Sequence, residues 1–226
     1  GDMVLLHGCC HNPTGADLTH EQWDLIADLA LERGFVPFID TAYQGLGDGL
    51  EEDAYGLRMM AERLPELVIA SSCSKNFGLY RERTGSITFI AETPEQADIV
   101  AAQAMSVARQ IYSMPPAHGA LLVSLILGDQ QLRANWEAEL TEVRERIQSM
   151  RSLLADSIQN NAAGIDFSHI KQQRGMFSFL GLNTAQLDQL REEYGVYIVS
   201  SSRVNLAGIN SSNIDYLGSS ILSVLK

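Results

Sequence analysis

Basic residues are scarce in this chain. Lys and Arg number 16 against 28 Asp and Glu in 226 residues, a formal charge of -12. Nucleic acid and anionic membrane both need clustered cations, so neither is an expected partner. Cysteine is nearly missing too. Cys9, Cys10 and Cys73 give no disulfide framework, and adjacent cysteines are poorly placed to bridge each other. That usage fits a reducing, cytoplasmic setting. No apolar run approaches the ~20 residues of a membrane helix, and no signal peptide is visible. Internal repeats and low-complexity tracts are lacking as well. What is present is a chain with 46% apolar residues, enough core for one large domain or two small ones.

Gly1 and Asp2 lead at once into an apolar strand candidate over residues 3–9, so the chain reads as if cut from something longer. Thr19 and Gln22 form a capping-box signal for a helix whose apolar face is Trp23, Ile26, Ala27, Ala30 and Leu31, with Gly34 at its C-terminal cap. Residues 35–39 form a second strand candidate ending in Asp40. A helix over residues 55–64 stops at Pro65, and residues 67–71 and 86–90 are further strands. Apolar strands alternating with amphipathic helices predict an α/β fold with a parallel sheet covered on both faces. Thr93, Pro94 and Gln96 open another helix. Residues 129–159 contain neither Gly nor Pro and read as one helix of ~45 Å. Beyond it, strands over 167–170, 176–180 and 196–199 and helices over 184–194 and 213–225 suggest a small α+β domain. The expected division is 1–128, a connecting helix 129–160, and 161–226.

Ligands of open α/β sheets bind beyond the C-terminal strand ends. His11 and Asn12, Asp40, and residues 72–75 all fall there. The HGCCH stretch (7–11) is a poor zinc site, because on a strand Cys9 and Cys10 point to opposite faces and no second ligand pair follows. GLGDG (45–49) imitates a phosphate loop, but Asp48, Glu51, Glu52 and Asp53 would repel phosphate. In HNPTG (11–15), Pro13 forces Asn12 into extended backbone and aims its amide, although an ordinary turn reads the same way. Asp40 is either a helix cap or the partner of a cation, with Tyr43 offering a hydroxyl nearby. Lys75, in SSCSKNFG (71–78), is a solvated charge if it stands alone. Beside Ser72, Ser74, Asp40, Asn12 and Arg83 it reads instead as a reactive amine, which must be neutral to attack. Arg83 is also suited to phosphate. Arg203 in SSRVN (201–205) is suited to a carboxylate, and Arg109 ends a helix before YSMPP (112–116). Taken alone, Arg203 reads more readily as a surface ion pair and Arg109 more readily still as a helix-terminal charge.

HNPTG, DTAYQG, SCSKNFGLYRERTG, YSMPPAHG and SSRVNLAG occur here in the order found in fold-type-I pyridoxal-phosphate aminotransferases, and the chain most resembles those acting on aspartate and aromatic amino acids. The resemblance covers the whole chain but only the C-terminal portion of such a protein. It implies a homodimer with the pyridoxal-phosphate transferase fold: a partial large domain, its mostly parallel sheet covered by helices, plus the small domain. It implies that Lys75 is the Schiff-base and proton-shuttling lysine and that Asp40 pairs with the pyridine nitrogen. Asn12 and Tyr43 would bond the phenolic oxygen, and Ser72 and Arg83 the phosphate. Arg203 would clamp the substrate α-carboxylate, and Arg109 would reach a dicarboxylate substrate in the neighbouring subunit. No metal is implied. The family's preceding segment holds further strands, phosphate donors and a ring-stacking aromatic, so weakened cofactor binding and turnover are expected of this chain alone. An inactive fragment, a kynurenine-type aminotransferase and a lyase of the same fold are the alternatives.

Overall fold

The computed structural model describes residues 1–159 and 166–225; residues 160–165 and 226, at the edges of the expected connecting helix and small domain, lie outside the described residues. The described chain divides into two units. The first holds Gly1–Cys9, Leu18–Gly45 and Gly49–Leu140, the second Cys10–Asp17, Leu46–Asp48 and Thr141–Lys226.

Local chemistry starts the helices of the first unit. Thr19 accepts from the Gln22 amide while the Gln22 side chain accepts from the Thr19 amide, which opens α1 (His20–Arg33); Gly34, at φ 71°, closes it. The same reciprocal pair, Thr93 and Gln96, opens α3 (Pro94–Tyr112). β1 (Met3–His7) precedes α1, and α2 (Tyr55–Arg63), β2 (Val36–Thr41), β3 (Leu67–Ser72) and β4 (Gly85–Ile90) lie between α1 and α3; the strands take the spatial order β1-β2-β3-β4. Trp23, Ala27 and Ala30 of α1, with Met60 and Leu64 next to them, bury against Ile39, Leu67 and Ile69 of the sheet. Leu31, expected on that face, is half exposed.

Two expectations about the sheet need correction. β1, β2 and β3 are parallel, but β4 runs antiparallel to β3. The connection between them, residues 73–84, contains no helix to carry the chain back for a parallel crossover. The sheet is also not covered on both faces by the described residues. Met3 and Leu5 of β1 and Ile87 of β4 remain more than half exposed (58, 60 and 54%). α4 (His118–Gly128) follows α3, and Asp129 then opens α5 (Gln130–Gln159) by accepting from the Gln131 and Leu132 amides at 2.9 Å each.

α5 continues from the first unit into the second, whose core gathers Ile147, Leu154, Ala155 and Ile158 with Phe167, Ile170, Leu190, Leu206 and Ile221. Here α6 (Ser168–Gln172) stands where a strand over 167–170 was predicted. Asp166 accepts from the Ser168 amide, and Phe167 and Ile170, three apart, bury together in one turn. The stretch 196–199 is likewise not a strand. The two-stranded antiparallel sheet pairs β5 (Phe177–Phe179) with β6 (Arg203–Asn205), so Arg203 lies within a strand rather than after one. α7 (Thr184–Tyr194) and α8 (Ile214–Val224) complete the unit.

Candidate active site

Parallel pairing brings the C-terminal ends of β2 and β3 to one rim, with Asp40 opposite Ala70 and Thr41 opposite Ser71. The start of β4 joins the same rim, because Ser72 faces Gly85. β2 runs one residue beyond Asp40, so Asp40 is part of the strand and not past it. Its Oδ1 accepts from the Ala42 amide at 2.9 Å. Thr41 points to the other face, where its hydroxyl donates to Ser71 Oγ at 2.9 Å and ties the two strand ends together. β1 stops at His7, and Cys9 and Cys10 are buried in non-strand chain, so the alternation of faces expected of them does not apply.

The loop 73–84 carries Lys75. It is pinned at its base by Cys73 N–H donating to Thr84 O at 3.0 Å, and it turns where Gly78 N–H donates to Lys75 O at 3.2 Å. Gly78 has φ 66°, a conformation in which a side chain is strained. Next to Lys75, Asn76 Nδ2 donates to Gln44 O (3.1 Å) and the Asn76 backbone carbonyl accepts from Trp136 Nε1 (2.7 Å). Phe77 stacks on the Trp136 ring with centroids 4.4 Å apart. The segment that follows the lysine is therefore held by hydrogen bonds and a ring stack. Its Nζ lies 4.4 Å from the centroid of the Tyr43 ring. Burial pushes the Lys75 amine below the usual lysine range, the Asp40 carboxylate opposes that, and the Arg83 guanidinium adds to it. Arg83 itself has φ 53° and donates through Nη1 to Tyr80 O at 2.8 Å. Ser72 Oγ accepts from the Ser74 amide at 3.1 Å.

In the second unit, Asp17 accepts from the Cys10 and His11 amides at 2.7 and 2.8 Å and shapes the 10–17 turn, in which the Asn12–Pro13 peptide bond is cis. Asn12 Oδ1 accepts from Arg203 Nη1 at 2.9 Å. The Arg203 guanidinium carbon sits 4.3 Å from the centroid of the Phe177 ring. Arg203 and Phe177 also line a cavity of about 570 Å³ with Tyr197 and Tyr216.

Lys75, Asp40, Tyr43, Ser72 and Arg83 thus share the first unit, and Asn12 and Arg203 are bonded to each other in the second. Arg109, exposed near the end of α3, makes no side-chain hydrogen bond or ion pair among the described residues. Sequence reasoning missed Thr41, Trp136, Phe177 and Arg151. Of these only Arg151 left a signal: it is a cation on the stripe of Ile147, Leu154, Ala155 and Ile158, and it is fully buried.

A lysine amine shifted toward its neutral form, with a carboxylate and a guanidinium in electrostatic reach, defines an amine-chemistry site at the rim of an α/β sheet. The comparisons agree. The model of the family "Aminotransferase class I and II" matches residues 1–221, and the chain belongs to that family. The aspartate aminotransferase of Haemophilus influenzae is 53% identical over 225 residues, 100% of this chain and 57% of that protein. The aromatic-amino-acid aminotransferase of Pseudomonas aeruginosa is 47% identical over 224 residues, 99% of this chain and 56% of that protein. The crystal structure of the aromatic-amino-acid aminotransferase from Burkholderia pseudomallei, covalently bound to pyridoxal phosphate, matches with a TM-score of 0.97 at 44% identity over 100% of this chain and 57% of that one. The chain has the fold of these enzymes and spans somewhat more than half of their length.

Proposed function

We propose that the protein moves an amino group between an amino acid, aspartate, glutamate or an aromatic one, and a 2-oxo acid, with pyridoxal phosphate as cofactor. The single observation that carries this reading is the Lys75 amine, which burial holds below the usual lysine range with the charges of Asp40 and Arg83 in electrostatic reach. The donor set fits the cofactor. Ser72 and Arg83 supply a hydroxyl and a guanidinium for its phosphate, Asp40 a carboxylate for its ring nitrogen and Tyr43 a phenol for its ring oxygen, and the family resemblance assigns the Asn12 amide to that same oxygen. Bound there, pyridoxal phosphate supplies an aldehyde carbon and an electron-withdrawing ring.

The residues of the chain do the rest. Lys75 Nζ, once neutral, accepts the α-proton of the amino-acid substrate. Arg203 grips the substrate α-carboxylate with two parallel hydrogen bonds, its guanidinium already steadied by Asn12 and by the Phe177 ring. Arg109 is assigned to the side-chain carboxylate of a dicarboxylate substrate bound by a second copy, which makes the working form a homodimer. Among the described residues no helix is long and apolar enough to cross a membrane. A chain with three cysteines and no disulfide framework in its spacing supports a cytoplasmic setting.

The test is borohydride treatment after incubation with pyridoxal phosphate, followed by peptide mass spectrometry and an assay with aspartate and 2-oxoglutarate. A permanent label on Lys75, lost in Lys75→Ala, together with amino transfer is the expected result. A label on other lysines only, or none, would overturn the reading.

A further inference from the structure

Arg151 takes no part in the chemistry just described, yet it is the largest fully buried side chain among the described residues. Its guanidinium donates to four backbone carbonyls: Nε to Gly175 O (2.9 Å), Nη1 to Ile170 O (3.0 Å), and Nη2 to those of Arg174 (2.9 Å), Gly175 (2.7 Å) and Phe177 (2.5 Å). No carboxylate forms an ion pair with it among the described residues. A buried cation is costly, and an apolar residue would fill the same space on the Ile147–Leu154 stripe without that cost. Burial pushes the group down to about 10, so it remains charged at neutral pH. A fork of this kind ties backbone segments together, which an apolar side chain cannot do.

The segments it ties are informative. Phe177, whose carbonyl Arg151 holds, is the ring beneath the Arg203 guanidinium, and β5 pairs with the strand that carries Arg203. Gly15, in the turn that carries Asn12, packs so closely that a Cβ there would lie 2.5 Å from Phe177 O and 2.9 Å from Arg151 Nη2. The Arg174 amide, beside another carbonyl that Arg151 holds, donates to Gly15 O at 2.8 Å. Arg151 therefore sits where the Asn12 turn and the Phe177 strand meet, and Asn12 and Arg203 are bonded across that junction at 2.9 Å.

We propose that Arg151 is a positioning residue, which aims the Arg203 guanidinium at a carboxylate by locking the Phe177 strand against the Asn12 turn. The proposal rests on the reading of Arg203 as a carboxylate clamp. It differs from a purely structural role in acting through Arg203, so its effect depends on Arg203 being present.

The experiment measures binding of succinate, a dicarboxylate with neither an amino nor an oxo group, by calorimetry on folded protein, with borohydride labelling of Lys75 run in parallel. Arg151→Met should weaken succinate between about tenfold and a hundredfold, the scale of a clamp displaced by about 1 Å. It should leave the Lys75 label intact. In an Arg203→Leu background the same change should shift binding by less than about twofold, because the group it aims is gone. Should Arg151→Met fail to fold, Phe177→Leu decides. It keeps the carbonyl bonds to Arg151, removes the ring, and should weaken succinate by a similar factor. Unchanged succinate binding in folded Arg151→Met overturns the proposal, as does an equal loss with and without Arg203, or unchanged binding in Phe177→Leu where that variant must decide. No succinate binding by the unmodified protein overturns it together with the clamp role of Arg203. A missing Lys75 label with the succinate pattern intact removes the aminotransferase reading and leaves the positioning role standing.

Discussion

Trp136 is distant in sequence from Lys75, yet it holds the lysine loop by two contacts: the Nε1 hydrogen bond to Asn76 O at 2.7 Å and the stack on Phe77 at 4.4 Å. A half-buried hydrogen bond of this kind contributes about 1 kcal/mol net, and a stacked aromatic pair about 0.5–1.5 kcal/mol beyond its area. Trp136→Phe keeps the stack and loses the bond, so the loop should open about fivefold more often, at 1.4 kcal/mol per factor of ten. Trp136→Ala loses both, about 2 kcal/mol, or close to thirtyfold. Amide exchange reads this directly. The Gly78 and Leu79 amides, which donate to Lys75 O and Cys73 O, should exchange faster by those factors. Opening also hydrates the amine. Since burial is the main cause that holds the Lys75 amine low, its titration by NMR after reductive methylation should move upward, more in the alanine variant than in the phenylalanine one. If Gly78 and Leu79 exchange as in the parent while Trp136→Ala stays folded, the loop does not depend on this contact and the reasoning is wrong.

Two further outcomes follow from packing and charge. Gly56 lies in α2 with Trp23 so close that a Cβ would meet three ring atoms at 2.3, 2.5 and 2.7 Å. Helix propensity favours Gly56→Ala by about 1 kcal/mol, and overpacking a buried ring costs about 1–3 kcal/mol, so chemical denaturation should show a net loss near 1 kcal/mol; a gain would mean that Trp23 shifts freely. In the cofactor-free protein, Lys75→Met should be more stable than the parent at neutral pH, because the parent buries an ammonium whose titration lies below the usual range. The unfolded chain then binds more protons than the folded one between the lowered value and the ordinary lysine value. Parent stability from this group therefore rises with pH across that window. Denaturation curves at neutral and alkaline pH should show the difference between the two proteins shrinking as pH rises, and a difference that grows would contradict the burial argument.

Much of the helical architecture was legible because it is settled within a few residues. The Thr19–Gln22 and Thr93–Gln96 capping boxes, the Gly34 cap and the unbroken run of α5 are local hydrogen-bond chemistry, and the structure begins and ends its helices there. The strands β1 to β3 were legible as apolar runs, and their C-terminal ends marked the rim where Asp40 and Lys75 stand. Local pattern was not enough where an apolar pair suits either period. Phe167 and Ile170 read as a strand and bury as a helical turn, and 196–199 reads as a strand but pairs with none among the described residues.

The order of residues along the chain set out the motifs that carry the proposed site residues, Lys75, Asp40, Tyr43, Ser72, Arg83, Asn12 and Arg203. Tertiary structure alone decided what surrounds them. The antiparallel return of β4, the Trp136 anchor on the lysine loop, the placing of residues 10–17 in the second unit and the four carbonyls gathered on Arg151 all join positions far apart in the chain. The physical reason is reach. A cap or an apolar period is set by neighbours three or four residues away, whereas the charge state of a buried amine or the aim of a guanidinium depends on groups that only the folded chain brings within a few ångströms.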